Sequence, residues 1–244
     1  MLRTLGFAIL LTMSPAPRSE EAEPATSAED SAIAAAKANR RKVKTPPAMI
    51  SAGIDGMKAA VEAQRALGHH GEVVVVGILG ADGRLRGAKI ETGSRSQELD
   101  GLALEAARQS ILSPAKDPTA TPIPVWLSMP FSFKNRAFRE GGGAHTYLCS
   151  EFTQDFGWWR AAWPDRPWSE HEFYKLMLGF GMLGILSEAK DDQAAIRRSV
   201  GDFELQWTSA IDGCPAKPNA LVADFFGAAG RRAKSLSKLR EKRR

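Results

Sequence analysis

The sequence predicts an α+β protein in two parts: a β-β-α-β unit over residues 51–138, then a small all-α unit over residues 144–230 closed by a disulfide. Three observations predict it. His70–Gly93 reads HGEVVVVGILGADGRLRGAKIETG, two strand-like runs around an Asp-Gly turn. An amphipathic helical run and an alternating, proline-punctuated strand run follow. Beyond Gly141-Gly142-Gly143 the apolar spacing becomes helical, and the only two cysteines of the chain, Cys149 and Cys214, bracket that region.

The N-terminus begins MLRTLGFAILLTMSPAP, one Arg before an apolar run from Leu5 to Met13 and then small residues. This is the layout of a secretory signal, and the run is short of the ~20 apolar residues that cross a bilayer. Residues 1–16 are therefore expected to be a signal peptide, or an uncleaved short anchor that keeps the chain at the inner membrane. Residues 17–50 are rich in Ala, Glu, Pro and Lys and poor in large apolar side chains, so a disordered tether is expected, with transient helix around Ala32–Lys42.

Ile54, Met57, Val61 and Leu67 make a modest helical stripe that Gly68 ends. His69 and His70 then fall in a turn, where two exposed histidines are expected in preference to a metal pair, because no acid or thiol lies nearby. Glu72–Leu79 is apolar and β-branched enough for a strand buried on one face at least. Leu85–Glu91 is the weaker return strand. Ser94 and Gln97 have the spacing of a capping box, and Leu99, Leu102, Ala103, Ala106 and Ile111 form one helical stripe behind it.

In TPIPVWLSMPFSFK, Ile123, Val125, Leu127, Met129, Phe131 and Phe133 alternate with Pro122, Pro124, Trp126, Ser128, Pro130 and Ser132. The three prolines share one parity, so the missing amide donors all lie along one side of the strand. Such a strand belongs at a sheet edge.

In the helical half, Ser169 and Glu172 suggest a second capping box, and Phe173, Leu176, Phe180 and Leu183 recur on one face. Ile196, Val200, Phe203, Trp207 and Ile211 do the same over Asp191–Asp212. Gly179, Gly181 and Gly184 match the dinucleotide fingerprint, but a fingerprint needs a strand before it, and here it lies inside a helical pattern. Close helix packing is the expected use of those glycines. Phe152, Phe156, Trp158, Trp159, Trp163 and Trp168 are expected to be core before ligand platform. For an exported chain the lone pair Cys149 and Cys214 is expected to form a disulfide. A zinc reading would recruit His145 and His171, with spacings that match no finger or ribbon.

Net charge is +5, yet residues 231–244 (RRAKSLSKLREKRR) hold eight Lys or Arg against one acid. The rest of the chain is close to neutral, so the basic balance describes a terminus. In an exported protein this basic tail points to anionic lipid or cell-wall surface, and nucleic acid is not expected as a partner.

Taken in order, GEVVVVGILGADGRLRGAKIETG, SRSQELDGLALEAARQSILSPAKD and TPIPVWLSMPFSF resemble the C-terminal domain of the TonB family. The resemblance spans roughly Ser51–Lys134. It implies a non-enzymatic, periplasmic, protein-binding domain of the bacterial envelope, serving transmembrane transport or energy transduction to the outer membrane. It also implies that an extended partner segment, such as part of an outer-membrane receptor, adds to the sheet along the third strand. The residues concerned are Ile123, Val125, Trp126, Leu127, Ser128, Met129, Phe131 and Phe133, with no cofactor or metal. The chain departs from the family's usual transducer in its short N-terminal apolar run, its short spacer, and the prolines along the receiving strand. The other readings are an anchoring envelope protein held by its basic tail, and an enzyme in the helical half using Cys149, Cys214, His145 or His171.

Overall fold

The computed structural model describes residues 25–51, 62, 66–138, 143–188 and 193–241. The leader expected over residues 1–16, and most of the helix expected over 54–67, lie outside them. The architecture is mixed α+β, with two small antiparallel sheets and a helical unit.

Strand β1 (Met49–Ser51) is short; β2 (Gly71–Leu79) and β3 (Leu85–Thr92) are the hairpin. Helix α2 (Gln97–Gln109) follows α1 (Ala25–Asn39) in chain order, then β4 (Ile111–Leu112) and β5 (Val125–Phe133). The main sheet has the order β3-β2-β5, so β2 is central and β5 is an edge. β2 pairs with β5 in unbroken antiparallel register from Gly71↔Phe133 to Leu79↔Val125, whereas the β2–β3 ladder shifts register twice.

The period of two decides which side chains are core. Val73, Val75 and Leu79 of β2 share a face with Val125, Met129 and Phe133 of β5, and α2 covers it with Leu99, Ala103 and Ala107. Small residues on the helix allow this close approach. The Asp82-Gly83 turn forms as expected: Gly83 has φ 75°, Asp82 accepts from the Arg84 amide at 3.2 Å, and the Gly83 carbonyl accepts from the Leu112 amide at 2.9 Å. One local expectation is corrected. The helix is capped by Ser96, whose hydroxyl accepts from the Leu99 amide at 3.3 Å; Ser94 instead bonds Asp100 at 2.8 Å.

A larger correction concerns the expected tether. Residues 25–39 form α1, which packs on β5 with Ala36 buried. The chain then runs alongside residues 111–116: the Lys44 and Thr45 amides both donate to the Lys116 carbonyl, and β1 pairs with β4. Val43 packs against the sheet core. The segment lacks large apolar side chains, but alanine needs none where a helix lies close to a sheet, and the backbone bonds to residues 111–116 supply the rest.

The helical unit consists of α3 (Cys149–Ala162), α4 (Glu172–Glu188), α5 (Gln193–Gly213) and α6 (Gly227–Glu241). Its core is aromatic: Tyr147, Phe152, Phe156, Trp159, Phe173, Tyr174, Phe203, Trp207 and Phe226 are all buried. Cys149 and Cys214 form a disulfide with Cα atoms 4.8 Å apart, tying the start of α3 to the residue after α5. Ser169 lies in a 3-10 turn (Trp168–Glu170) ahead of α4, so it does not cap that helix. Gly181 sits inside α4, where an added Cβ would meet Ala229 of α6 at 3.9 Å, which is helix packing and not a phosphate loop. The basic C-terminal residues continue α6 as helix to Glu241. Arg232 donates to the Phe180 and Gly181 carbonyls, and Lys234 pairs with Asp224. Among the described residues, no helix is long and apolar enough to cross a membrane.

Candidate functional site

The outer edge of β5 is set by proline chemistry. Within a strand, each residue's N–H and C=O point to the same side, and the side alternates. Pro130 is opposite Val74 and has no N–H to give β2, so the even-numbered positions of β5 face outward. The odd positions make the ladder to β2. Trp126, Ser128 and Ser132 therefore aim amide donors away from the sheet, and Ser128, Pro130 and Ser132 are exposed. Among the described residues, no strand pairs with this edge.

The strand residues picked out by sequence thus divide in two. Val125, Met129 and Phe133 are buried under α2, with Leu127 and Phe131 packed beside them, and these hold the strand in place. Ile123 precedes the strand and donates its amide to the Ala115 carbonyl at 2.9 Å. Only Trp126 and Ser128 of that set present backbone to the outside, joined by Ser132. α1 closes one end of the edge: the Asn39 side-chain amide donates to the Pro124 carbonyl at 3.0 Å, and Lys37 lies 5.1 Å from the Trp126 ring centre. The open length is therefore Ser128–Ser132.

The other end of β5 runs straight into a buried polar seam that the sequence reading missed. Arg136 follows the strand by three residues, and its Nε donates to Asp155 of α3 at 2.8 Å. Its Nη2 reaches Gln154 at 2.7 Å and the Glu151 carbonyl at 3.2 Å. The Tyr147 hydroxyl donates to the other Asp155 oxygen at 2.7 Å. Burial pushes the Asp155 carboxyl above its usual range, against the pull of Arg136 and Tyr147; burial, with Asp155 beside it, raises the Tyr147 phenol. Around this core, Gln154 donates to the Ala66 carbonyl at 2.9 Å, and Arg95 donates to the Ala162 carbonyl while lying over the Trp163 ring.

His69 and His70 enter the same seam, which corrects the expectation of two exposed turn histidines. His70 is 4% exposed and His171 is fully buried, their ring centres 5.6 Å apart. His69 is part-buried, stacks on Trp158 at 4.8 Å and bonds Ser96 at 2.8 Å. No single-residue signal could have paired His70 with His171, which lie in different halves of the chain. The aromatic group named from sequence is mostly core: Phe152, Phe156 and Trp159 are buried, Trp158 and Trp163 pack against them, and Trp168 is 40% exposed. With both cysteines in the disulfide, neither is available as a thiol nucleophile or zinc ligand. Among the described residues, no group of three or more His, Cys, Asp or Glu could hold a metal ion.

Residues 62–135 match the family described as the Gram-negative bacterial TonB protein C-terminal domain, a segment that ends two residues beyond β5. Neither the curated proteins nor the solved structures give a match. The family match covers the hairpin, α2 and β5, so over residues 62–135 the sheet unit is similar to the TonB C-terminal domain. It leaves the helical unit and α1 outside.

Proposed function

We propose that this TonB-like domain makes the chain a non-enzymatic protein of the bacterial envelope, exported to the periplasm, which binds an extended segment of a protein partner by adding it to the outer edge of β5. The observation that carries the reading is the pair of outward amides at Ser128 and Ser132 on the exposed, open length of the strand edge. An added strand draws affinity from backbone hydrogen bonds, each contributing about 1 kcal/mol net, and selectivity from alternate side chains. Pro130 interrupts the row by one donor and Asn39 occupies the Pro124 carbonyl. The edge thus accepts a short segment, or one that bulges opposite Pro130. An outer-membrane receptor is the partner class that the family match favours, in transport or energy transduction.

The test is photocrosslinking of the full-length protein in its own envelope. A crosslinker at Ser128 or Ser132 should capture an outer-membrane protein, and one at Glu91 of β3 should not. Ser128→Pro deletes an outward donor without touching the β2 ladder, and should cut capture from Ser132 about fivefold with unchanged thermal stability. Equal capture from Glu91, or capture indifferent to Ser128→Pro, overturns the reading.

A second reading has its own observation: the basic C-terminal residues lie on a formed helix, α6, with Arg231 exposed. Such a helix suits an anionic lipid or cell-wall surface, at about 1 kcal/mol per basic residue near a membrane. Deleting residues 238–244, beyond the buried Ala233 and the anchored Arg232 and Lys234, should then abolish salt-sensitive retention in envelope fractions; retention that ignores both salt and the deletion removes this reading.

A further inference from the structure

His70 and His171 are buried at a point in this seam that offers their rings almost no hydrogen-bond partner. His70 Nε2 and both ring nitrogens of His171 have no hydrogen-bond partner among the described residues. The one bond in reach runs from the His70 ring to the Gly68 carbonyl at 3.3 Å. Phe156, Trp159 and Trp207 enclose the His171 ring at 5.1–5.8 Å between centres, and Trp158 lies 5.0 Å from His70. A phenylalanine would fill the His171 cage without leaving buried nitrogens unmet, so packing alone does not account for the residue. What imidazole adds is a proton site near neutral pH.

The two rings also come from opposite sides of one boundary. His70 leads into β2 of the sheet unit, and His171 leads into α4 of the helical unit. The charges around them are Arg136 from the turn after β5, His69 from the same loop (itself 3.7 Å from Glu98 of α2), and Lys175 from α4. Asp155, the nearby acid of α3, is already engaged by Arg136 and Tyr147. Glu172, at the start of α4 beside His171, lies 3.9 Å from Lys134, with its other carboxylate oxygen buried. A proton on either imidazole would therefore meet mainly cations and aromatic rings, with neither carboxylate hydrogen-bonded to it. Two protons would set like charges about 6 Å apart in a buried seam.

We propose that His70 and His171 form a proton-operated latch between the sheet unit and the helical unit, closed while both rings are neutral and opened when they are protonated. Burial holds the His70 ring down at about 4, and it holds His171 well below the usual histidine range. Because an exposed imidazole takes a proton near 6.5, acidification below that value favours the open seam. Opening would release Arg136 and, with it, the anchored end of β5. The latch stands whether or not β5 receives a partner strand.

The test uses hydrogen exchange of the full chain, following amides 68–71 and 149–160 between pH 7.5 and pH 4, with far-UV circular dichroism as the measure of global fold. Exchange rates are corrected for the intrinsic effect of pH. The wild type should lose seam protection with a midpoint between pH 4 and 6.5 while the β2–β5 ladder stays protected. The variant His70→Gln, His171→Phe should shift that midpoint down by at least one pH unit. An unchanged midpoint in the variant, or seam opening only together with loss of the ladder, overturns the latch. Should the variant fail to fold at pH 7.5, the wild-type imidazole resonances decide. Titration in step with seam opening supports the latch, and titration near 6.5 with the seam still protected overturns it.

Discussion

Gly83 and Gly87 both adopt positive φ, 75° and 58°, but only Gly83 is hemmed in. A Cβ at Gly83 would fall 2.0 Å from the Leu112 carbonyl oxygen, whereas at Gly87 it would meet nothing within 4 Å. Gly87→Ala should therefore cost only the left-handed backbone term, about 1–2 kcal/mol. Gly83→Ala adds a backbone clash and should cost clearly more, with the β1–β4 pairing lost first. Urea denaturation of the two variants checks the order; equal losses would refute the close-approach argument. At Asp155, substitution by Ala leaves Arg136 buried without its carboxylate and should cost ~3–5 kcal/mol, read by the same measurement. The two cases also mark what the sequence could show. Asp82-Gly83 announces its turn because the chemistry is local. Arg136 and Asp155 lie 19 residues apart on either side of a glycine run, and neither has a neighbour that betrays the pair.

The same division between local and distant chemistry recurs among the elements. Proline parity in β5 was legible, since a missing N–H is a property of the residue itself, and it fixes which side of the strand faces out. α1 was not legible. Alanine-rich sequence reads as helix or as tether according to whether a surface awaits it, and that surface is β5, nearly a hundred residues away. Ala36 is 1% exposed, so Ala36→Arg should dislodge α1. The expected signature is loss of exchange protection over residues 25–39, at a cost of ~1–3 kcal/mol, with the β2–β5 ladder intact. Retained protection would show that α1 does not depend on this contact. The disulfide was legible from the cysteine count and the expected compartment. It closes a 65-residue separation, for which chain entropy predicts about 4 kcal/mol. Reduction should lower the unfolding free energy of the helical unit by ~2–5 kcal/mol and leave the sheet unit's own protection largely unchanged.

For the molecule as a whole, the buried histidines set a sign for the pH dependence of stability. Their folded-state affinities for protons lie below the unfolded value, so the unfolded chain binds more protons between about 4 and 6.5. Stability should thus be level above pH 7 and decline on acidification from 6.5, by up to ~1.4 kcal/mol per pH unit for each histidine. Asp155 is raised and opposes this, but only in the acid region above the ordinary carboxylate value. Thermal unfolding at pH 7.5, 6 and 5 is the check; a melting temperature that rises on acidification would contradict the assignment.

The unbroken register between β2 and β5 also has a mechanical side. Nine pairs in series of position but parallel in load join the two strands, so a pull along β5 is shared among all of them at once. The C-terminal end of the strand is further secured through Arg136 into the helical unit. The β2–β3 ladder, broken by two register shifts, has shorter runs over which to spread a force. Tension delivered along β5 would meet the stiffest path in the sheet, while tension on β3 would peel it a few pairs at a time.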